Sequence, residues 1–154
     1  DNLESLHDRL SIMGRDLLLE TMPSIINGTN KRIKQNEEEV TYAYNIKREE
    51  EHIDLSKTRR EVFNQIRGLS PVPGANLLVD GDEFKIYRAE ISERKFTNKE
   101  IGEVTGLYKD GIGVMTQDGE IILTDIKPFG KKRMSASSYI NGLRDKSLIG
   151  KVLK

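Results

Sequence analysis

Three consecutive cations, Lys131, Lys132 and Arg133, follow a Pro128-Phe129-Gly130 turn and precede Met134 and Ser135. Two ammonium groups and a guanidinium held at a turn offer positive charge and hydrogen-bond donors at the rim of a domain. Phosphate oxygens suit such donors, because each phosphate neutralised by a protein cation releases condensed counterions. The run has company. Lys127, Lys131, Lys132, Arg133, Arg144, Lys146, Lys151 and Lys154 crowd residues 127–154 against a single acid, Asp145, although the whole chain balances 25 cations with 25 acids. Charge here is segregated, not abundant. A solubilising run collects charges in the same way, so polyanion binding and simple solvation both stay open at this point. Arg67, Lys85 and Arg88 either extend the basic face or stand as ordinary surface charges.

Other chemistries find little support. The chain has no cysteine, which removes disulfide and thiolate–metal sites, and its two isolated histidines, His7 and His52, cannot build a zinc site by themselves. The acidic runs Glu37–Glu39 and Glu49–Glu51 lie in polar sequence, with no apolar surround to shift a carboxylate pKa, and read as a solvated linker. Gly111-Ile112-Gly113 lacks the Lys-Ser/Thr of a phosphate loop, and Ser135, Ser137 and Ser138 have no histidine nearby. No aromatic pair shows the spacing of a base-stacking platform, so nucleic-acid contact would rest on the phosphate backbone. No catalytic centre emerges.

The elements that must position the basic turn follow from periodicity. Leu3, Leu6, Leu10, Met13 and Leu17 share one helical face, widened by Leu18, Met22, Ile25 and Ile26 and stopped at Gly28. Pro23 either kinks this helix or opens a second one. So apolar a helix needs a partner surface, and we read it as the last element of a missing domain. Residues 29–52 lose all periodicity and form a linker, with Tyr42 and Tyr44 expected to pin part of it to a domain surface. The balance of charge changes sign near this boundary: residues 1–56 carry seven Lys/Arg and twelve Asp/Glu, residues 57–154 eighteen and thirteen.

Thr58 and Glu61 predict a capping box at the start of a second helix, with Val62, Phe63 and Ile66 inward and Gly68 at its end. Leu69–Gly74 is a proline-stiffened connector. From Ala75 the period changes to two. Asp80-Gly81-Asp82 marks a hairpin, Lys109-Asp110 a second with Gly111 free to take positive φ, and Gln117-Asp118-Gly119 a third. Short strands at this spacing predict a small closed or nearly closed barrel. Its core candidates are Phe84, Ile86, Ala89, Val104, Leu107, Ile112, Val114, Ile121, Leu123 and Ile126. Ser135 is expected to cap a short helix with Tyr139 and Ile140, closed by Gly142.

Thr41-Tyr42-Ala43, Ile53-Asp54, Ile66-Arg67, Pro71-x-Pro73-Gly74-Ala75, Lys85-Ile86-Tyr87 and Gly130-Lys131-Lys132-Arg133-Met134-Ser135, in this order and spacing, resemble the C-terminal half of bacterial methionyl-tRNA formyltransferases. Leu6-His7-Asp8-x-Leu10, Gly14 and Leu17–Thr21 extend the likeness to nearly the whole chain. The basic stretch and the Pro-x-Pro-Gly turn are its most specific parts. The resemblance implies a mainly β fold with flanking helices: residues 1–28 as the terminal helix of a missing Rossmann-like catalytic domain, 29–52 as linker, and 53–154 as an OB-like barrel that binds tRNA.

It implies transfer of a formyl group from 10-formyltetrahydrofolate to methionyl-initiator tRNA in the cytoplasm. The catalytic residues would lie upstream of residue 1, leaving no catalytic residue, cofactor or metal in this chain. The tRNA-facing surface would take in Lys131, Lys132, Arg133, Lys127, Arg144, Lys146, Arg67, Lys85, Arg88 and Arg48. Two family tryptophans are replaced, by Leu55 after Ile53-Asp54 and by Val72 between the prolines. Two other readings stay open: a free-standing OB-like RNA-binding module, and a related folate-dependent formyltransferase that acts on a sugar nucleotide or hydrolyses or oxidises formyl-folate.

Overall fold

The computed structural model of the chain describes residues 1–145 and 147–154. It is a mainly β half-barrel with flanking helices. Helix α1 (Leu3–Ile26) starts at Asn2, whose side chain accepts from Ser5 N (2.9 Å) while Ser5 Oγ accepts from Asn2 N (3.1 Å). Pro23 stays inside its last turn; the helix neither breaks nor restarts there. Not one residue of α1 is buried, and Leu17 is 63% exposed. Residues 27–51 hold two 3₁₀ turns, Glu37–Glu39 and Arg48–Glu51. Burial along the chain begins at Glu51.

Helix α2 (Arg59–Leu69) carries the capping box expected of Thr58 and Glu61, but ends one residue later than Gly68, at Leu69. Its N-terminus is tied down twice. Glu61 accepts from Thr58 N and Oγ1 (3.0 and 2.6 Å), and Asp118, from a turn 59 residues away, accepts from Arg59 N (2.7 Å). These bonds, with Thr58 first for Glu61 and Arg59 N–H first for Asp118, hold both carboxyls below their ordinary pKa. A folded pKa below the unfolded one contributes stability above the unfolded value that is lost as pH falls. Urea midpoints should therefore fall as pH drops through roughly 4, with α2 amides losing hydrogen-exchange protection first. An unchanged α2 protection pattern at pH 3 would contradict this.

Six antiparallel strands follow: β1 (Ala75–Val79), β2 (Asp82–Ile91), β3 (Val104–Leu107), β4 (Ile112–Met115), β5 (Glu120–Lys127) and β6 (Met134–Ser135). Their order is β1-β2-β5-β4-β3. Val79 pairs with Asp82 across a two-residue turn in which Asp80 (φ 54°) and Gly81 (φ 90°) are both left-handed, the form that matches strand twist. Strand β5 is central: β2 covers one edge, while β4 (at Glu120–Leu123) and β6 (at Asp125 and Ile126) share the other. Helix α3 (Ala136–Asn141) is capped by Ser135, which accepts from Ser138 N (3.1 Å). Gly111 does not use its freedom to take positive φ. A Cβ there would strike the Leu123 carbonyl of β5, so close strand approach accounts for the glycine.

The open edges, β1 and β3, are bridged by residues 148–154. Val104 N donates to Lys151 O (2.8 Å), Leu153 N to Gly102 O (2.9 Å) and Leu78 N to Lys154 O (2.5 Å). Leu148 and Leu153 drop into the core from this strap. The ten core candidates all lie there, Leu107 only partly buried, joined by Ile53, Leu55, Leu69 and Leu77. Leu55 is a core residue, whereas Val72 is exposed. Tyr42 and Tyr44 pin nothing: both rings are exposed and stack on each other, 6.2 Å apart. Side chains two residues apart on extended backbone share a face, so the pair meets itself before any other surface.

Candidate nucleic-acid interface

The basic turn is held from both sides. Strand β5 ends at Lys127, Pro128 is buried, and Lys131 N donates to Pro128 O (3.0 Å) across Gly130, whose φ is 68°. The returning chain pairs as β6 with Asp125 and Ile126. Arg133 closes the clamp: its Nε and Nη2 donate to the Asp125 carboxylate (3.0 and 2.6 Å), and its guanidinium lies 4.3 Å from the centre of the Tyr87 ring. Bonding to Asp125 raises the Arg133 pKa above its ordinary value. A bulge in β2 delivers that ring. Ile86 pairs with Ile126 and Arg88 with Asp125, so Tyr87 is the extra residue and turns outward under the guanidinium.

The ten cations of the predicted surface divide by their partners. Arg133 is matched to Asp125, and Arg48 is held by Glu51 and Glu83. Lys85 donates to Pro73 O (2.7 Å) with Glu51 3.7 Å away, and is mostly buried. These three build the structure and contribute little net field outward. Among the described residues, Lys127, Lys131, Lys132, Arg67, Arg88 and Arg144 are exposed and have no carboxylate in ion-pair range. Lys146 lies outside the described residues. Lys127, Lys131 and Lys132 share the turn, with Lys131 Nζ 5.3 Å from the Tyr139 ring of α3.

Arg67 and Arg88 line a separate cleft of about 470 Å³ between α2, β2 and the start of α1, and Arg88 also faces a neighbouring one of about 660 Å³. Asp125, Arg133 and Glu90 line both clefts, so these are mixed in charge where the turn is purely positive. Replacing Arg133 by Ala should therefore weaken binding to a polyanion by freeing the Asp125 charge and loosening the turn; R133A D125A should recover much of that loss. An R133A defect that persists undiminished in the double variant would assign Arg133 direct contact.

A second polar cluster, not foreseen from the sequence, pins the other end of the sheet. Glu120 is fully buried on β5 and accepts from Thr105 Oγ1, from Tyr108 Oη (2.8 Å) and from Arg94 Nη1 (3.4 Å). Arg94 lies 3.9 Å from the centre of the Tyr108 ring. Burial first, and the bond to Glu120 second, raise the Tyr108 pKa, so the phenol stays a donor. Glycines make the space: a Cβ on Gly106 would come within 2.7 Å of the Tyr108 ring, and one on Gly113 would strike the Glu120 carboxylate. No alternation or motif announces a buried acid whose partners come from β3, the β3–β4 turn and the loop after β2.

With this geometry the chain can be placed among known proteins. The model of the formyl transferase C-terminal domain matches residues 45–144. The chain belongs to that family. As a formyl transferase C-terminal domain protein it is 46% identical over 154 residues to a protein of Staphylococcus aureus (strain MW2) named methionyl-tRNA formyltransferase, with 99% of this chain aligned to 49% of that one. A protein of the same name from Macrococcus caseolyticus is 44% identical over 150 residues, covering 97% of this chain and 47% of the relative. The chain thus spans about half the length of the curated relatives it matches. Among solved structures, HypX from Aquifex aeolicus in complex with tetrahydrofolic acid superposes with a TM-score of 0.63 over 88% of this chain and 24% of HypX, at 21% identity. That likeness is one of fold.

Proposed function

We propose that this formyl transferase C-terminal domain is the tRNA-gripping part of a methionyl-tRNA formyltransferase, which passes a formyl group from 10-formyltetrahydrofolate to methionyl-initiator tRNA in the cytoplasm. The observation that carries the reading is the clamped turn. Lys127, Lys131 and Lys132 are exposed and unmatched on a rigid support, while Arg133 spends its charge on Asp125. Preorganised cations bind a phosphate backbone with little ordering cost and without regard to base sequence. Arg67, Arg88 and Arg144 extend the contact as secondary cations. Positioning of this kind can supply a large part of a rate without any reacting group.

The residues present do not fit the folate donor. The two rings of the α2–β2 cleft already carry guanidinium groups, Phe63 those of Arg60 and Arg67 (5.7 and 5.6 Å) and Tyr87 that of Arg133 (4.3 Å), leaving no free aromatic slot for a pterin. Helix α1 supports the enzyme reading over a free-standing module. Its unburied Leu10, Met13 and Leu17 suit a further domain, the catalytic one on this reading, with residues 1–28 as that domain's last element and 29–52 as linker; the relatives are about twice as long as this chain. Among the described residues no helix is long and apolar enough to cross a membrane.

Filter binding tests the proposal. The chain should retain initiator and elongator tRNA with affinities within about threefold of each other, and should transfer no formyl group in the presence of 10-formyltetrahydrofolate. A strong preference for a nucleotide sugar, or no retention of either tRNA at low salt, would overturn it.

A further inference from the structure

The apex of the basic turn carries an aromatic ring that folding leaves unused. Phe129 is 68% exposed between buried Pro128 and left-handed Gly130. Burying a Phe stabilises a protein by roughly 1.5–3 kcal/mol, and nothing in this fold collects that gain. The ring has no polar atom to suit it to solvent, and its support is stiff, held by the Lys131 N to Pro128 O bond and by the pairing of β5 with β6. Its neighbourhood along the chain is one-sided in charge. From residue 126 to residue 144 the sequence has no acid, and the acid just before that stretch, Asp125, is matched by Arg133. Lys127, Lys131 and Lys132 are the exposed cations beside it in sequence that have no acidic partner.

A flat apolar face framed by unmatched ammonium groups suits a ligand with a flat aromatic face and anionic flanks. An unpaired nucleotide is such a ligand: its base can stack on the ring while its own and neighbouring phosphates meet the lysines. We infer that Phe129 is a base-stacking residue, which adds to the phosphate contacts of the basic turn a salt-independent term specific for unpaired nucleotides. The inference rests on the tRNA-gripping reading and deepens it. A paired stem offers the lysines phosphates but keeps its base faces stacked, so the ring distinguishes the single-stranded parts of an RNA from its stems.

The test uses the whole chain with three probes of equal length: single-stranded oligoadenylate, the same strand with abasic sites, and an RNA duplex. Phe129→Ala should weaken oligoadenylate binding by about 5- to 100-fold and leave the salt dependence of log K unchanged. Binding to the abasic strand and to the duplex should change less than twofold. Phe129→Tyr should restore binding and Phe129→Leu should not, because Leu keeps apolar bulk without a π face.

The chain has no tryptophan, so Phe129→Trp installs a single indole, whose fluorescence oligoadenylate should quench and the abasic strand should not. Full rescue by Leu, or equal losses on all three probes, would overturn the inference. So would a loss seen only on a fourth probe, vesicles of anionic phospholipid, which would make the ring a membrane contact. The underlying reading fails separately. If K131A K132A leaves the salt slope unchanged, both fall; if it flattens the slope while F129A binds oligoadenylate normally, only the stacking role is lost.

Discussion

Replacing Glu120 by Ala is expected to lower the melting temperature by about 6–12 °C, taking a loss of about 3 kcal/mol and roughly 2–4 °C per kcal/mol for a chain of this size. The carboxylate is fully buried and gathers Thr105, Tyr108 and Arg94 from three separate segments. Its removal strands two hydroxyls in the fold, each costing about 1–3 kcal/mol when left without a partner. Arg94 is nearly half exposed, so its own share is screened and small. Glu120→Gln keeps the volume and one acceptor and should recover about half the loss. Thermal unfolding followed by circular dichroism decides the matter: a change below 2 °C in the Ala variant would mean that water takes over the carboxylate's bonds and that the cluster is not a structural pin.

The second large effect concerns the strap that closes the barrel. Leu148→Ala together with Leu153→Ala should cost about 4 kcal/mol, the lower end of two Leu→Ala losses of about 2–5 kcal/mol each, since a peripheral segment can relax. Both side chains are buried, at 8% and 5% exposure, and they seat the residues whose carbonyls accept from the β3 amide of Val104 and the β1 amide of Leu78. Once the strap lifts, β1 and β3 become open edges, and open edges invite pairing between molecules. Hydrogen exchange should show Leu78 and Val104 losing protection well ahead of Ile86 and Ile122 in the centre of the sheet. Uniform loss across the sheet would show that the strap unfolds only with the whole domain.

Local chemistry was legible in the sequence where neighbours along the chain decide the structure. The capping box of Thr58 and Glu61, the Asp80-Gly81 hairpin and the Ser135 cap each rest on residues within three positions of one another. What long-range pairing decides was not legible. Leu148 and Leu153 stand in a polar, basic stretch without alternation, and their strap bonds to Gly102, Val104 and Leu78, far back in the chain. Glu120 looks like the polar start of a strand, and only the fold buries it. Gly111 shows a related limit: its place in a turn suggested φ freedom, whereas the pressure for glycine comes from β5 passing behind it.

The basic surface shows the same division. A count of Lys and Arg treats Arg133, Lys132 and Arg48 alike. The fold pairs Arg133 with Asp125 and Arg48 with two glutamates, and leaves Lys132 exposed without an acidic partner. Asp125 and Arg133 are eight residues apart, and the turn between them brings them face to face. Net charge per segment therefore locates the turn but overstates how many of its cations reach outward.

The most direct test of the account is a titration of tRNA into the native chain and into K131A K132A at several salt concentrations between 50 and 200 mM, roughly the span over which backbone binding changes most. Asp82→Ala serves as the control, since this exposed residue opens β2 beside a different turn and removing it raises the net charge by one. The account predicts that the slope of log K against log salt flattens by about one unit for each phosphate that a lysine no longer neutralises, close to two in the double variant. The control should keep the native slope, and both variants should melt within about 2 °C of the native chain, as exposed substitutions usually do. A double variant that binds more weakly at every salt concentration with the native slope, or that binds normally, would contradict phosphate recognition by this turn.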